Sequence, residues 1–217
     1  MPSSSPVVHV DILGKMGNRM MQFMTAHAIA RRVPDCRISN IDIPECNLAY
    51  EEIPEGDDYK AVVTYSQEQA TAGLVDIENI ATLLRDGKLK RVVLSGYCQH
   101  IANFGSPGQY ASFFSQPLAD APGYGPDELL VNIRMGDIAN GHHRDYILLP
   151  IEFYVEVIKS TGLRPIFLGQ IEDNAYCRQL QAVFPEACFV NSRGAGHDFE
   201  CIRRSKNIPI THEPPPI

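Results

Sequence analysis

The chain has 217 residues, 44% hydrophobic and 21% charged, the proportions of a folded globular protein, which exclude a disordered, coiled-coil or collagen-like chain. Nineteen lysines and arginines against 26 acidic residues leave a net charge of −7, and the densest basic groups, Arg31-Arg32 and Arg203-Arg204 with Lys206, are too short for a nucleic-acid surface. The longest apolar runs, Leu129 to Ile133 and Ile147 to Ile151, fall far short of the ~20 residues of a membrane helix, and the start of the chain lacks the pattern of a secretory signal.

Taken in order, Val7 to Leu13 is a β-branched strand ending at Gly14-Lys15-Met16-Gly17-Asn18. Arg19 to Arg32 then repeats Met20, Phe23, Met24, His27 and Ala28 at helical spacing before Pro34. Strands follow at Cys36 to Ile41 and Lys60 to Tyr65, a helix at Ile77 to Arg85 stopped by Asp86-Gly87, a strand at Arg91 to Gly96, and a short helix at Pro107 to Phe114. Gln116 to Asp127 holds Pro117, Pro122, Gly123, Gly125 and Pro126, the composition of a linker.

Beyond it the alternation restarts with a buried strand at Leu129 to Arg134, a polar loop through Gly141-His142-His143-Arg144-Asp145 and a helix from Pro150 to Ser160. A strand at Pro165 to Gly169, a helix at Asn174 to Phe184, a strand at Ala187 to Asn191 and a helix at His197 to Lys206 complete the series. Helices of this length between strands supply the crossovers of parallel sheets, so an α/β protein is expected, with one domain over 1–122 and a second over 127–217. Six scattered cysteines without a Cys-x-x-Cys pair are expected to be reduced and mostly buried, in a cytoplasmic protein.

Two strand ends carry candidate chemistry. In open α/β sheets, ligands collect beyond the carboxyl ends of strands, where helix N-termini point unpaired N–H groups outward. Gly14 to Asn18 lies at one such end, and its glycines let an anion approach the backbone, although a tight turn would need them equally. The spacing is neither Gly-x-Gly-x-x-Gly nor a P-loop. At the second end, Asn132 to Asp137, a guanidinium at Arg134 suits bidentate contact with a diphosphate, Gly136 clears space beside it, and Asp137 either orients Arg134 or touches the ligand. A structural Arg-Asp pair closing a loop is the alternative. Adjacent His142 and His143 cannot easily face one ion, which makes a polar loop the better reading than zinc, with no metal expected. The stripe Met16, Met20, Met24 reads as core, and Cys98 beside His100 as buried rather than as a thiol-imidazole pair.

Read together, these stretches resemble a known family. Gly14-Lys-Met-Gly-Asn-Arg-Met-Met-Gln22-Phe23 resembles the Gly-Gly-Leu-Gly-Asn-Gln-Met-Phe-Gln-Tyr opening of the alpha-1,2-fucosyltransferases. Leu94 to Gln99 resembles that family's Gly-Tyr-x-Gln segment, Val131 to Asp137 its Val-His-Ile-Arg-Arg-Gly-Asp motif, and Leu149-Pro150 with Phe153-Tyr154 its Leu-Pro-x-x-Tyr-Tyr.

The resemblance implies a GT-B type glycosyltransferase of two Rossmann-like halves. It would move L-fucose from GDP-fucose to a hydroxyl of a galactose-type glycan acceptor, inverting and without a metal or a resident cofactor. Carried over, Arg134 grips the donor diphosphate, Gly14, Gly17 and Asn18 form the first-half loop, and Asn132, Asp137 and Asp198 belong to the donor side, Arg134 and Asp137 being the catalytic pair. The acceptor would be a soluble or membrane-borne glycan, met peripherally. Asp11, Glu172, Asp173 and Asp198 are the carboxylates open to the role of base. The chain departs from the family at Asn132, which replaces a histidine, and at Met135, which replaces the second arginine. It also has no tryptophan, and the second half is expected to be incomplete. A catalytically impaired nucleotide-sugar or carbohydrate-binding remnant is therefore an alternative, and a Rossmann-type oxidoreductase or methyltransferase a third, disfavoured by the spacing of the first turn.

Overall fold

The structure, a computed structural model, describes residues 5–55, 62–66, 74–114, 120–139 and 147–209. The chain is α/β and divides into two compact units, Met1–Gln116 and Pro117–Ile217.

In the first unit, β1 (Val7–Val10) leads through α1 (Met16–Ala30) to β2 (Arg37–Ser39), and β5 (Val62–Ser66) through α2 (Ile77–Arg85) to β6 (Arg91–Ser95). These strands form a parallel sheet in the order β2-β1-β6-β5, with Val8 in register with Ile38 on one side and Val92 on the other. All of β1 is buried, as a central parallel strand covered on both faces must be. α1 buries Phe23, Ala26 and Ile29 completely, and Phe23 packs against Tyr50, Phe113 and Phe114. α2 starts where the Asp76 carboxylate accepts the Asn79 N–H at 3.1 Å, and buries Ile77, Ile80, Ala81 and Leu84, one stripe at helical spacing.

Three expectations shift here. α1 begins at Met16 rather than Arg19, so Gly17 and Asn18 belong to its first turn and Gly14 alone, at φ +69°, makes the bend. Cys36 to Ile41 resolves into β2 and, after Asn40 at φ +62°, β3 (Ile41–Ile43), which pairs antiparallel with β4 (Leu48–Tyr50). Pro107 to Phe114 holds only a 3-10 turn at Pro107–Gln109, with Phe114 buried.

In the second unit, β7 (Glu128–Ile133), β8 (Arg164–Gly169) and β9 (Cys188–Asn191) form a parallel sheet in that order. After β7 come the single turn α3 (Gly136–Ala139) and α4 (Ile151–Thr161). α5 (Ala175–Val183) joins β8 to β9, and α6 (Ala195–Arg204) follows β9. One sheet face, with Leu129, Val131, Ile133 and Phe167, packs against Ile151, Tyr154, Ile158, Cys177 and Leu180. The other, with Leu130, Ile166 and Leu168, is covered by Ala121 and by Cys201 of α6.

The two units divide after Gln116, at the start of the Pro/Gly-rich stretch. Residues 120–126 pack on the second unit: the Lys206 N–H donates to the Tyr124 carbonyl at 3.1 Å, and a Cβ at Gly123 would lie 2.8 Å from the Arg204 carbonyl oxygen. Past α6, Leu130 N–H donates to the Asn207 carbonyl at 3.0 Å, which ties residues 205–209 alongside β7.

Candidate functional site: two strand mouths

At the carboxyl end of β1, the fold of the Gly14 bend follows from one buried glutamine. Gln22 is fully buried, and its Nε2 donates to the carbonyls of Asp11 and Gly96, both at 2.9 Å, while its Oε1 accepts from the Leu13 N–H at 3.2 Å. It thereby staples the exit of β1 to the exit of β6. Gly14 lies so close to Asn18 that a Cβ there would run into the Asn18 amide, and the Asn18 Oδ1 accepts from Gln99 Nε2 at 3.0 Å.

The result is a helix N-terminus without a lid. Lys15 is the N-cap and supplies no side-chain bond, and the first turn carries no acidic residue. The first bonded amide of the helix is that of Arg19, to the Lys15 carbonyl at 3.0 Å, so the N–H groups of Met16, Gly17 and Asn18 have no partner among the described residues. A Cβ at Gly17 would meet nothing within 4 Å, so the approach is open. Three aligned N–H donors at the positive end of a helix are suited to a phosphate or carboxylate. By contrast α2 and α5 have their first turns closed by Asp76 and by Asn174, whose Oδ1 accepts from the Cys177 N–H at 2.9 Å.

Beside this end stands Asp11, its side chain 45% exposed. One carboxylate oxygen accepts the Ser95 hydroxyl, and the other is 3.6 Å from His9 Nε2. The His9 ring is buried, and its Nδ1 lies 3.1 Å from Ser39 Oγ, which itself accepts the Ile53 N–H at 2.8 Å. The Ser39 hydroxyl is therefore free to donate to Nδ1, which leaves the imidazole proton on Nε2, facing Asp11. Burial first, and then the Arg91 guanidinium, hold His9 below its usual range against the opposing pull of Asp11, Glu52 and Glu55. Asp11 is thus an exposed carboxylate with neutral donors behind it.

At the carboxyl end of β7, Asn132 and Arg134 are exposed, with Asn132 Nδ2 donating weakly to the Leu168 carbonyl at 3.4 Å. Met135 is fully buried, beside Asn174 and Cys177. Its N–H donates to Gln170 Oε1 at 2.7 Å, and Gly136 at φ +32° passes so near that a Cβ would lie 2.9 Å from Gln170 Nε2. Gly169, at φ +137°, sits where a Cβ would overlap the Ile133 carbonyl oxygen. The tip that presents Arg134 is thus built by Gly169, the last residue of β8, and Gln170 just after it, residues that sequence reasoning passed over. The glycine closing a predicted strand was the available signal. Asp137 lies on α3, and its side chain is outside the described residues.

Asp198 stands in the first turn of α6, its side chain only 14% exposed, accepting the Ser192 hydroxyl and the Arg193 N–H at 3.4 Å. It is thereby tied to the loop between β9 and α6, and α6, with Gly194 as its N-cap, has no side-chain cap. Of the sequence-predicted residues, Gly14, Gly17 and Asn18 thus share one mouth, and Asn132, Arg134 and Asp137 one strand end.

Cys98 is buried, its thiol pushed up to about 11 by that burial, while His100 Nδ1 accepts the Ala102 N–H at 3.2 Å instead of pairing with the thiol. Among the described residues no group of three or more His, Cys, Asp or Glu is placed to hold a metal ion, and His142 and His143 lie outside them. No helix among the described residues is long and apolar enough to cross a membrane. Compared with protein-family models, with curated proteins and with solved structures, the chain matches none.

Proposed function

We propose that this protein is a GT-B type glycosyltransferase that moves L-fucose from GDP-fucose to a hydroxyl of a galactose-type acceptor, with inversion and without a metal. One observation carries the reading. The two stretches that resemble the alpha-1,2-fucosyltransferases, Gly14 to Phe23 and Val131 to Asp137, both begin or end at the carboxyl end of a parallel strand, the position at which α/β proteins hold phosphorylated ligands.

In this reading Arg134 grips the donor diphosphate and meets the negative charge that develops on GDP as it leaves. Asn132, Asp137 and Asp198 belong to the donor side, and the bare amides of Met16, Gly17 and Asn18 supply donors from the first half. For the role of base, Asp11 is favoured over Asp173 and Asp198. Asp198 is engaged by Ser192 and Arg193 ahead of α6 and Asp173 pairs with Arg178 at 2.5 Å, whereas Asp11 is half exposed and backed by the Ser95 hydroxyl and a neutral imidazole. Asp11 takes the proton of the acceptor hydroxyl as that oxygen attacks the anomeric carbon opposite GDP.

A donor-binding protein without turnover is the second reading, and Met135 favours it. Where the family motif has a second arginine, this side chain is wholly buried, so the tip lacks that second guanidinium. Calorimetry with GDP and GDP-fucose, followed by assay of fucose release and of transfer to lactose, separates the readings. Binding with turnover supports the first and binding alone the second, while absence of binding by either nucleotide refutes both.

A further inference from the structure

At the other end of α1 from the Gly14 bend, the first unit carries a cavity of about 610 Å³, within the range of small-molecule sites. Its walls are the last turn of α1 with His27 and Arg31, the start of β2 with Cys36 and Arg37, and the end of β4 with Tyr50 and Glu51. None of these residues belongs to either strand mouth.

The lining is richer in donors than in acceptors. Arg31 and Arg37 are both exposed, and one acid, Glu51, stands among them. Arg31 Nη1 donates to the neutral amide oxygen of Gln109, so its charge is not balanced there by a carboxylate, and Arg37 has no side-chain partner among the described residues. His27 Nδ1 is buried and makes no hydrogen bond. A buried N–H without an acceptor is costly, so the ring carries its proton on Nε2, the nitrogen that is not buried without a partner. Burial, then Arg31, holds the imidazole below its usual range, consistent with this neutral form. Tyr50, stacked on Phe23 at 5.9 Å, adds an aromatic ring to the wall.

We propose that this cavity binds a small polyhydroxylated oxyanion, of the sugar-phosphate or sugar-acid kind. Arg31 and Arg37 take the oxyanion through charge-assisted bonds, His27 Nε2–H donates beside them, and Glu51 accepts from hydroxyls while Tyr50 covers the carbon skeleton. The site is independent of glycosyl transfer and stands or falls without it.

Alkylation of the full chain with N-ethylmaleimide, read cysteine by cysteine by peptide mass mapping, tests this directly. Cys36 is partly exposed in the cavity wall, and the exposed Cys188 of the second unit is the internal control. The probes are glucose 6-phosphate, glucuronate and inorganic phosphate, against sodium chloride at matched ionic strength. The expected result is saturable protection of Cys36, with Cys188 unchanged, by glucose 6-phosphate or glucuronate at lower concentration than by inorganic phosphate. Whichever of the two acts at lower concentration identifies the oxyanion as phosphate or carboxylate.

Arg31→Ala and Arg37→Ala each raise the half-protecting concentration about tenfold or more, the scale of one charge-assisted contact, and Arg37→Lys raises it less. Both arginines are exposed, and an unchanged unfolding temperature shows that the variants fold. Protection no better than sodium chloride, protection by inorganic phosphate matching that of the sugar probes, or protection that survives both alanine variants overturns the proposal.

Discussion

Gln22→Met is the sharpest test of how the first strand mouth is built. The substitution keeps length and volume but removes two donors and one acceptor, leaving the carbonyls of Asp11 and Gly96 and the Leu13 N–H without their partner. The bond to Gly96 is buried and the carbonyl keeps only the weak donor Cys98 Sγ at 3.5 Å, so its loss costs most of the desolvation of a carbonyl, ~1–3 kcal/mol. The other two bonds are partly buried and water replaces them in part, at ~1 kcal/mol each. A total of roughly 3–5 kcal/mol is a large share of the ~5–15 kcal/mol that holds a domain folded. The buried thiols provide a probe for each unit: Cys98 reports the first and Cys177 the second. Pulse labelling in urea should show the Cys98 midpoint falling steeply in Gln22→Met while the Cys177 midpoint stays in place. A change under ~1 kcal/mol at Cys98 would mean that water already serves these groups, and the staple reasoning would be wrong.

Arg134→Ala should weaken GDP binding by ~1.5–3 kcal/mol, one charge-assisted contact, and unchanged calorimetric affinity removes Arg134 from the site. Lys15→Asp should stabilise the first unit by ~1 kcal/mol by capping α1, yet weaken GDP binding by placing a carboxylate where the phosphate is expected; gain of both stability and affinity would sink the anion-site reading. Gly169→Ala should destabilise the second unit by at least ~2–3 kcal/mol in the Cys177 assay, because the side chain meets backbone as well as a strained φ of +137°. His9 and His27 both have folded pKa values held below their usual range, mainly by burial, so the unfolded chain takes up protons first. Their contribution is complete above about pH 6.5 and is lost as the pH falls below it. The Cys98 midpoint should therefore drop between neutral and mildly acid pH, and His9→Gln should flatten that slope; an identical slope in the variant discounts His9.

Much of the fold was legible because its signals were local. Ile77 to Arg85 was readable to the residue because Asp76 caps one end, Asp86-Gly87 stops the other, and the apolar stripe is periodic. The β3-β4 hairpin was not legible, since each strand is three residues long and Pro44 with Asn47, at φ +49°, breaks the run between them. The Pro/Gly-rich stretch holds the division between the units, after Gln116, but its glycines do not all mark a loose linker: composition reads a linker and a close approach alike, and Gly123 is needed because Arg204 lies against it. The candidate residues at the strand ends were readable from type and position. The groups that hold them, Gln22 across to Gly96 and Gln170 across to Met135, act through pairings 74 and 35 residues apart in sequence, which no local pattern encodes.

The start of α1 shows where stability and function part. Gly17 and Asn18 are poor helix formers, and composition assigns them to a turn, yet both lie in the helix. A helix selected for stability alone would begin as α2 and α5 do, with an aspartate or asparagine bonded to its own first turn. Here the cap position carries a lysine that makes no such bond, the glycine leaves the approach unobstructed, and Gln22, one turn further on, ties the bend down from beneath. A mobile loop would need no such staple. An uncapped start recurs at α4 and α6, so what sets α1 apart is the buried glutamine that ties its open start to β6, and that combination is why an anionic ligand is sought at this end of the chain.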